Sequence, residues 1–404
     1  MYMNRCSCRT IKWLFFLVCA ASQVCAQSNK ISGVITDAET GAPIPFANVF
    51  FASTSIGVSS NMEGEFVLQN FADGKYDFVI AYVGYQPYQQ AFEFHNSQFR
   101  LTIQLKVEEV RLREVVVRED TTGWAHNYKV FKSAFLGDVP NAKSCTILNP
   151  RDLHLYFDQA THTLVAHAWQ PLKIENRALG YTINWYLQKF ELNYQTSRLE
   201  IFGIPVFENL TAKNTSEAKR WQRERQRAYE GSVTHFMRAV RSNQVQEAGF
   251  GIFEFYRVPN RKRPSDEWLN EKIKYHREKN TRANEMYISD SLRYFIELRN
   301  QPRVVDSIGR KELKLPVEDG QLAFTGMLKI DYLHEREAAA YAEMNGRFPA
   351  RFQTSIMHVL VPGLKIYENG YYENAYDVFF EWYWAWSEKM SDLLPLNYLP
   401  PEKK

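Results

Sequence analysis

A two-residue rhythm of apolar side chains runs from Ile31 to Tyr85, cut at regular intervals by Asp, Asn and Gly. Successive side chains of an extended chain point to opposite faces, so this rhythm buries one face of each strand and wets the other. Ile31, Gly33 and Ile35 share a face of the first strand. Asp37 to Gly41 supplies a turn, because Asp bonds its own downstream backbone and Gly accepts positive φ without a Cβ clash. Ala47, Val49 and Phe51 line a second strand, Phe66 and Leu68 a third, and Tyr76, Phe78, Ile80 and Tyr82 the longest. Val79, Ala81 and Val83 make that strand apolar on its other side too, which predicts cover on both faces. Phe99, Leu101, Ile103 and Leu105 alternate in a later strand, and Val115 and Val117 read as a closing edge. The pattern predicts a small antiparallel β-sandwich of about seven strands.

Particular residues within this stretch carry a resemblance. They are Gly33-x-Ile35-x-Asp37-x-x-Thr40-Gly41-x-Pro43-x-x-x-Ala47-x-Val49, Asn61-x-x-Gly64-x-Phe66, Gly74-x-Tyr76, Val83-Gly84-Tyr85 and the closing Leu112-Arg113-Glu114-Val115-Val116-Val117. Together, from Lys30 to Arg118, they resemble the carboxypeptidase-regulatory-like domain, a transthyretin-like sandwich of immunoglobulin scale. In metallocarboxypeptidases this module accompanies the catalytic domain and does no chemistry. In envelope proteins of Bacteroidetes-type bacteria it is a common amino-terminal extension. The resemblance therefore implies a fold and a setting, and no activity.

Residues 1–26 read as a secretory signal: Arg5, Arg9 and Lys12, an apolar core from Trp13 to Ala21, and small residues at Val24-Cys25-Ala26. A lipoprotein signal is the rival, but Val18 and Val24 stand where lipidation needs a small residue before Cys19 or Cys25. The apolar run is also short of the ~20 residues that span a bilayer. Removing this segment takes away three of 49 Lys and Arg and none of 46 Asp and Glu, leaving 46 against 46. A neutral mature chain gives no charge-based case for nucleic acid. Four of five cysteines go with the signal, so Cys145 has no intramolecular partner and reads as a small buried hydrophobe. The expected location is the periplasm or the outer-membrane surface.

Glu119 to Gly123 reads as a linker, and 124–404 as one larger β-dominated α+β domain, which makes the whole chain mainly β. Asp152–Trp169 predicts a hairpin turned at Asp158–Thr161, with further strands at Tyr181–Leu192 and Leu199–Phe202. Ser216 reads as the cap of a helical segment over about 216–243, interrupted near Gly231. Asn260–Ala283 is a charged, partly helical connection. Strands are expected at Leu292–Leu298, Lys311–Pro316 and Leu322–Tyr332, a late hairpin at Thr354–Val361 with Leu364–Tyr367, and an aromatic helix over Ala375–Leu393. Phe135-Leu136-Gly137, Cys145-x-Ile147-x-Asn149-Pro150, Pro171-Leu172-x-Ile174-Glu175-Asn176, Leu179-Gly180-Tyr181-x-Ile183, Tyr229-Glu230-Gly231-Ser232-x-x-His235-Phe236 and Leu394-Pro395-x-Asn397-Tyr398 resemble an uncharacterised region found behind this module in envelope proteins. That resemblance implies no mechanism.

Signatures of chemistry are sparse. Zinc hydrolases place two His one helical turn apart around a Glu, and nothing here does so. His162 and His167 are five apart, which puts them on opposite faces of a straight strand. No serine-hydrolase elbow and no Walker or Rossmann glycine pattern occurs, and no metal or cofactor is assigned. Arg220, Arg223, Arg225 and Arg227, interleaved with Glu217, Glu224 and Glu230, read as a solvated helix face. The Gly-Ser break between Tyr229 and His235 makes both residues binding candidates. The tail from Phe379 to Trp386 reads as a helix docking on a sheet, with a sugar platform at Trp382 as its functional alternative. The expected function is therefore that of an exported, non-catalytic envelope protein. Its carboxyl-terminal domain would bind a partner protein, such as an outer-membrane protein, or a surface glycan, and the chain would be peripheral to a membrane at most. The alternative is a peptide or glycan hydrolase with a site assembled from sequence-distant residues, for which a pocket of convergent, perturbed carboxyls would speak.

Overall fold

The computed structural model describes residues 28–108, 123–282, 290–349 and 351–401. The signal segment, the closing Leu112–Val117 run and residues 119–122 of the linker lie outside them. Within 29–105 the expected sandwich is present. β1 (Asn29–Asp37) pairs antiparallel with β4 (Glu65–Phe71) and parallel with β7 (Gln98–Leu105). The facing sheet runs in the order β3 (Gly57–Ser59), β2 (Asn48–Phe51), β5 (Gly74–Ala81), β6 (Tyr88–Phe94). Strands β3 and β6 escape the alternation because β3 is exposed throughout and β6 buries only Phe92 and Phe94. Ile31, Ile35, Phe51, Tyr76, Phe78 and Phe94 fill the space between the sheets.

The far side of β5 is covered at Val79 and Ala81, but Val83, expected on the same face, lies beyond the strand and is 85 % exposed. Val79 joins Phe50 and Ala52 in a small apolar patch against Tyr186, Ile204 and Val206 of the second unit. Beside that patch the loop after β2 adds to a free edge of the second unit: Ser53 N donates to Pro205 O at 2.7 Å, and Phe207 N to Thr54 O at 3.0 Å.

The second unit has two cores. The first lies under a sheet of β8 (Cys145–Ile147), β9 (Leu153–Asp158), β10 (Thr163–Ala168), β11 (Leu172–Asn176), β12 (Tyr181–Asn193) and β13 (Leu199–Asn209). β12 takes β10 and β11 along one edge and β13 along the other. α1 (Trp124–Leu136) covers this sheet, with Asn127, Phe131 and Phe135 inward at four-residue spacing. The predicted hairpin is β9–β10, in which Leu155 faces Ala166.

Two helices lead to the second core. α2 (Thr215–Tyr229) is capped by Asn214, whose side chain accepts from Glu217 N at 2.9 Å, so the cap is not Ser216. α3 (Val233–Arg241) is capped by Ser232. Between them Gly231 sits at φ 78°, where only a residue without Cβ is comfortable. α3 buries Phe236, Met237 and Val240 against a five-stranded sheet. Its order is β15 (Val304–Ile308), β14 (Phe250–Pro259), β18 (Gly326–Arg336), β19 (Phe352–Val359), β22 (Val378–Trp382). A small sheet of β16 (Val317–Glu318), β17 (Gln321–Leu322), β20 (Leu364–Ile366) and β21 (Tyr372–Glu373) closes that lobe.

Four expectations are corrected here. Leu292–Leu298 is not a strand: α5 (Asp290–Asn300) pairs with α4 (Asp266–Arg282), burying Leu292, Leu269 and Ile273 at helical spacing that a short apolar run disguises. Lys311–Pro316 forms no strand. The late strands exist, but β19 pairs with β18 and β22 while β20 pairs with β17 and β21, so they do not form a hairpin. Residues 375–393 are not one helix. The chain runs as strand β22, breaks at Trp382 with φ 66°, and continues in α7 (Tyr383–Ser387). The run of bulky aromatics from Phe379 fits a pleated strand as well as a helix stripe, and pairing with β19 decides for the strand.

A Cβ at position 231 would lie 2.6 Å from Gln353 Oε1 and 2.7 Å from the Tyr332 ring. Gly231→Ala is expected to lower stability by about 1–3 kcal/mol through combined strain and overpacking, read as an earlier midpoint in thermal or urea unfolding.

Candidate functional site

Two hollows flank Trp386, and their walls come from opposite ends of the second unit. The larger is an open groove of about 740 Å³. Its first wall is α1, which turns His126, Val130 and Ser133 into it at helical spacing while Phe131 and Phe135 go to the core. Gly137 ends α1 at φ 88° and lies so close to Lys389 that a Cβ there would meet Lys389 Cγ at 2.7 Å. The second wall is the β22–α7 junction, where Trp382, Ala385, Trp386 and Lys389 fall on one side. Tyr341 and Met344, from α6 (Ala339–Met344), complete it. The Trp386 ring lies 5.4 Å from that of Tyr341 and 5.5 Å from that of Tyr383, so its plane is held by neighbouring rings. Trp382 packs edge-on at 5.5 Å against Phe255. The positive φ at Trp382 is a costly conformation for a bulky residue. It sends Trp384 inward, where Nε1 donates to Gly231 O at 2.7 Å, and leaves Trp382 and Trp386 in the groove.

The smaller hollow, about 100 Å³, lies on the other side of Trp386 and is lined by Glu230, Gly231, Ser232, Arg227, Glu388 and Asp392 among others. Glu388 Oε1 accepts from Val233 N at 3.1 Å, at the start of α3. Burial pushes its carboxyl up to about 7, against the opposing pull of that hydrogen bond and with a further push from Asp392. Burial likewise raises Asp392 to about 6, although Asn141 Nδ2 donates to it at 2.6 Å and Arg227 opposes the shift. The two carboxyls are raised by burial and held by Val233 N and Asn141, in a hollow of about 100 Å³ that is too small to seat a sugar chain.

The sequence candidates fare differently. Trp382 lines the groove. Tyr229 is 8 % exposed, with Arg238 5.4 Å from its ring. His235 accepts from Gly231 N through Nδ1 at 3.2 Å and packs among Tyr229, Phe250 and Tyr332 at ring distances of 4.9, 5.0 and 5.8 Å. That pair therefore props the α2–α3 break beside the smaller hollow. Arg225 is not on a solvated face: it lies 3.9 Å from the Tyr181 ring and donates to Leu179 O at 2.6 Å and Gly180 O at 3.0 Å. Arg220, Arg223 and Arg227 are exposed. Cys145 is buried, and burial pushes its thiol up to about 12, far from nucleophilic range. His154 and His167 are cross-strand neighbours, while His162 sits in the turn. Among the described residues no group of three His, Cys, Asp or Glu is arranged to hold a metal ion, and no helix is long and apolar enough to cross a membrane. Sequence reasoning missed Glu388 and Asp392 because their significance lies in partners more than 150 residues away, at Val233 and Asn141. His126, Ser133 and Tyr341 carried no pattern at all.

Because the carboxyls of Glu388 and Asp392 hold protons in the fold that the unfolded chain releases, stability is expected to fall as pH rises. The Glu388 contribution spans pH 4.5 to about 7. Glu388→Gln, which keeps an acceptor for Val233 N, should flatten that slope and gain on the order of 2 kcal/mol above neutrality, measured by urea unfolding across the range.

Comparison with known proteins places the first unit. The family model of the CarboxypepD_reg-like domain matches residues 31–117. No curated protein matches the chain. Among solved structures, a Bacteroides fragilis protein of unknown function, thought to be membrane-associated, is 11% identical over 84% of this chain and 92% of its own, with a TM-score of 0.17. A cohesin–X-dockerin complex from Acetivibrio cellulolyticus is 21% identical, covering 19% of this chain and 56% of that one, TM-score 0.17. The carboxyl-terminal domain of the shaft pilin spaA from Lactobacillus rhamnosus GG is 18% identical over 20% of this chain and 98% of that one, TM-score 0.17.

Proposed function

We propose that this chain, which carries a CarboxypepD_reg-like domain at residues 31–117, is an exported envelope protein whose second unit binds a surface glycan in the groove at Trp382 and Trp386. The carrying observation is the groove itself: about 740 Å³, with two tryptophans, Tyr341 and Met344 as its apolar part and His126, Lys129, Ser133, Asp138 and Asn345 around them. A sugar ring is apolar on its C–H faces and polar at its edge. A concave site with fixed aromatic planes and scattered donors and acceptors matches both features, and its volume lies in the range of ordinary ligand sites. A partner protein would more readily use a flat or convex patch. The CarboxypepD_reg-like domain supports the envelope setting and contributes no chemistry to the reading.

Trp386→Ala, and separately Trp382→Phe, should weaken binding to envelope polysaccharide fragments by about tenfold or more and by a few-fold respectively. Calorimetry or tryptophan fluorescence would measure both. Unchanged affinity in Trp386→Ala would remove the groove from consideration.

The hydrolase alternative gains nothing from the raised carboxyls for a glycan seated here, because Glu388 and Asp392 line the smaller hollow across Trp386 and not the groove.

A further inference from the structure

The helical arm between β14 and β15 stands apart from the groove. From Arg261 to Arg303 the sequence carries eleven Lys and Arg against seven Asp and Glu, in a mature chain that is balanced only as a whole. α4 and α5 bury Leu269, Ile273 and Leu292 between them, and the Phe295 ring lies 5.6 Å from that of Trp268 and 5.1 Å from that of His276. With the apolar side of α4 spent on α5, one of its remaining flanks carries lysines and aromatic residues without a carboxylate among them. Trp268, Lys272, Tyr275 and Lys279 follow one another at spacings of four, three and four, which places them on a single flank. Glu267, Glu271 and Glu278 fall on the neighbouring flank, with Lys274 among them. The aromatic residues of the cationic flank are wet, Trp268 at 41 % and Tyr275 at 59 % exposure, and Lys272 Nζ sits 5.5 Å from the Trp268 ring.

The ribbon that carries the arm is apolar where it should be polar. Where it meets the arm, Val258 pairs with Val305 on one face and Pro259 with Val304 on the other, and Tyr256, Val258, Val304, Val305 and Ile308 are exposed along the ribbon. β15 ends the sheet, and among the described residues no strand neighbours its outer edge.

We infer that this arm and its ribbon seat the protein on an anionic lipid bilayer. The cationic flank supplies lysine ammonium groups for phosphate headgroups and a tryptophan and tyrosine of the kind that settle at the interface. The ribbon supplies short aliphatic side chains for shallow insertion. An anionic polysaccharide would use the lysines but has no place for Val258, Val304, Val305 and Ile308, so the aliphatic ribbon favours lipid. Attachment is peripheral and electrostatic.

The test is co-sedimentation of the chain from Gln27, which keeps every described residue, with two kinds of vesicle: phosphatidylcholine alone, and phosphatidylcholine with phosphatidylglycerol. The expected result is binding to the second only, release by salt well above physiological strength, and a blue shift of tryptophan emission that Trp268→Phe removes. The pair Lys272→Glu and Lys279→Glu should weaken binding by at least about thirtyfold. Both positions are surface sites on the arm, and an unchanged melting curve would show that the fold persists. Equal binding to neutral vesicles, or indifference to the double charge reversal, would overturn the inference. So would retention on immobilised dextran sulfate without vesicle binding, which would assign the arm to a polysaccharide.

Discussion

A strap of eleven residues, Glu388 to Tyr398, holds the molecule's three cores to one another. Glu388 accepts from Val233 at the start of α3, and Arg238 on the same helix donates to Leu396 O at 2.6 Å and Tyr398 O at 2.9 Å. Ser391 donates to Leu136 O at 2.6 Å and its own carbonyl accepts from the buried Asn176 at 2.9 Å, which ties in the first lobe of the second unit. Leu396 N then donates to Ser53 O at 2.7 Å, and the Asn397 side chain accepts from Ser55 N at 2.9 Å, reaching the amino-terminal sandwich. Most of these bonds satisfy backbone groups that would otherwise be stranded between packed lobes, where each loss costs about 1–3 kcal/mol.

Several of the motifs that carry the sequence resemblance of the second unit gather along this strap. Phe135-Leu136-Gly137 ends α1 where Met390 and Ser391 dock. Gly180 admits the Trp221 ring, whose Nε1 donates to Arg177 O at 2.9 Å. Gly231 supplies the carbonyl for Trp384, and Asn397 and Tyr398 close the junction with the sandwich and α3. These residues are fixed by geometry: a chain that must turn with positive φ against a ring, or hand over a buried carbonyl, has few alternatives.

How much could be read beforehand follows from range. The sandwich was legible because its information is local, with alternation in Ile31–Ile35 and Tyr76–Ile80 and turn residues between. The β9–β10 hairpin was legible for the same reason. Pairing of β19 with β22, and not with β20, is a contest between distant strands that no window of sequence contains. The same contest turned the aromatic tail from helix to strand and thereby moved Trp382 and Trp386 from expected core to groove wall. Glu388 and Asp392 were invisible as a pair of interest, since a carboxyl acquires a raised proton affinity only from what packs around it.

The groove has one wall at residues 126–138 and the other at residues 341–389. Any molecule seated across it therefore acts as a reversible cross-link that closes a loop of some two hundred residues. Occupancy and global folding become linked equilibria: ligand raises the free energy of opening the lobes, and whatever loosens the lobes dilutes the binding-competent state. A protein built this way reports its own saturation as resistance to unfolding and proteolysis, with no movement of any lid.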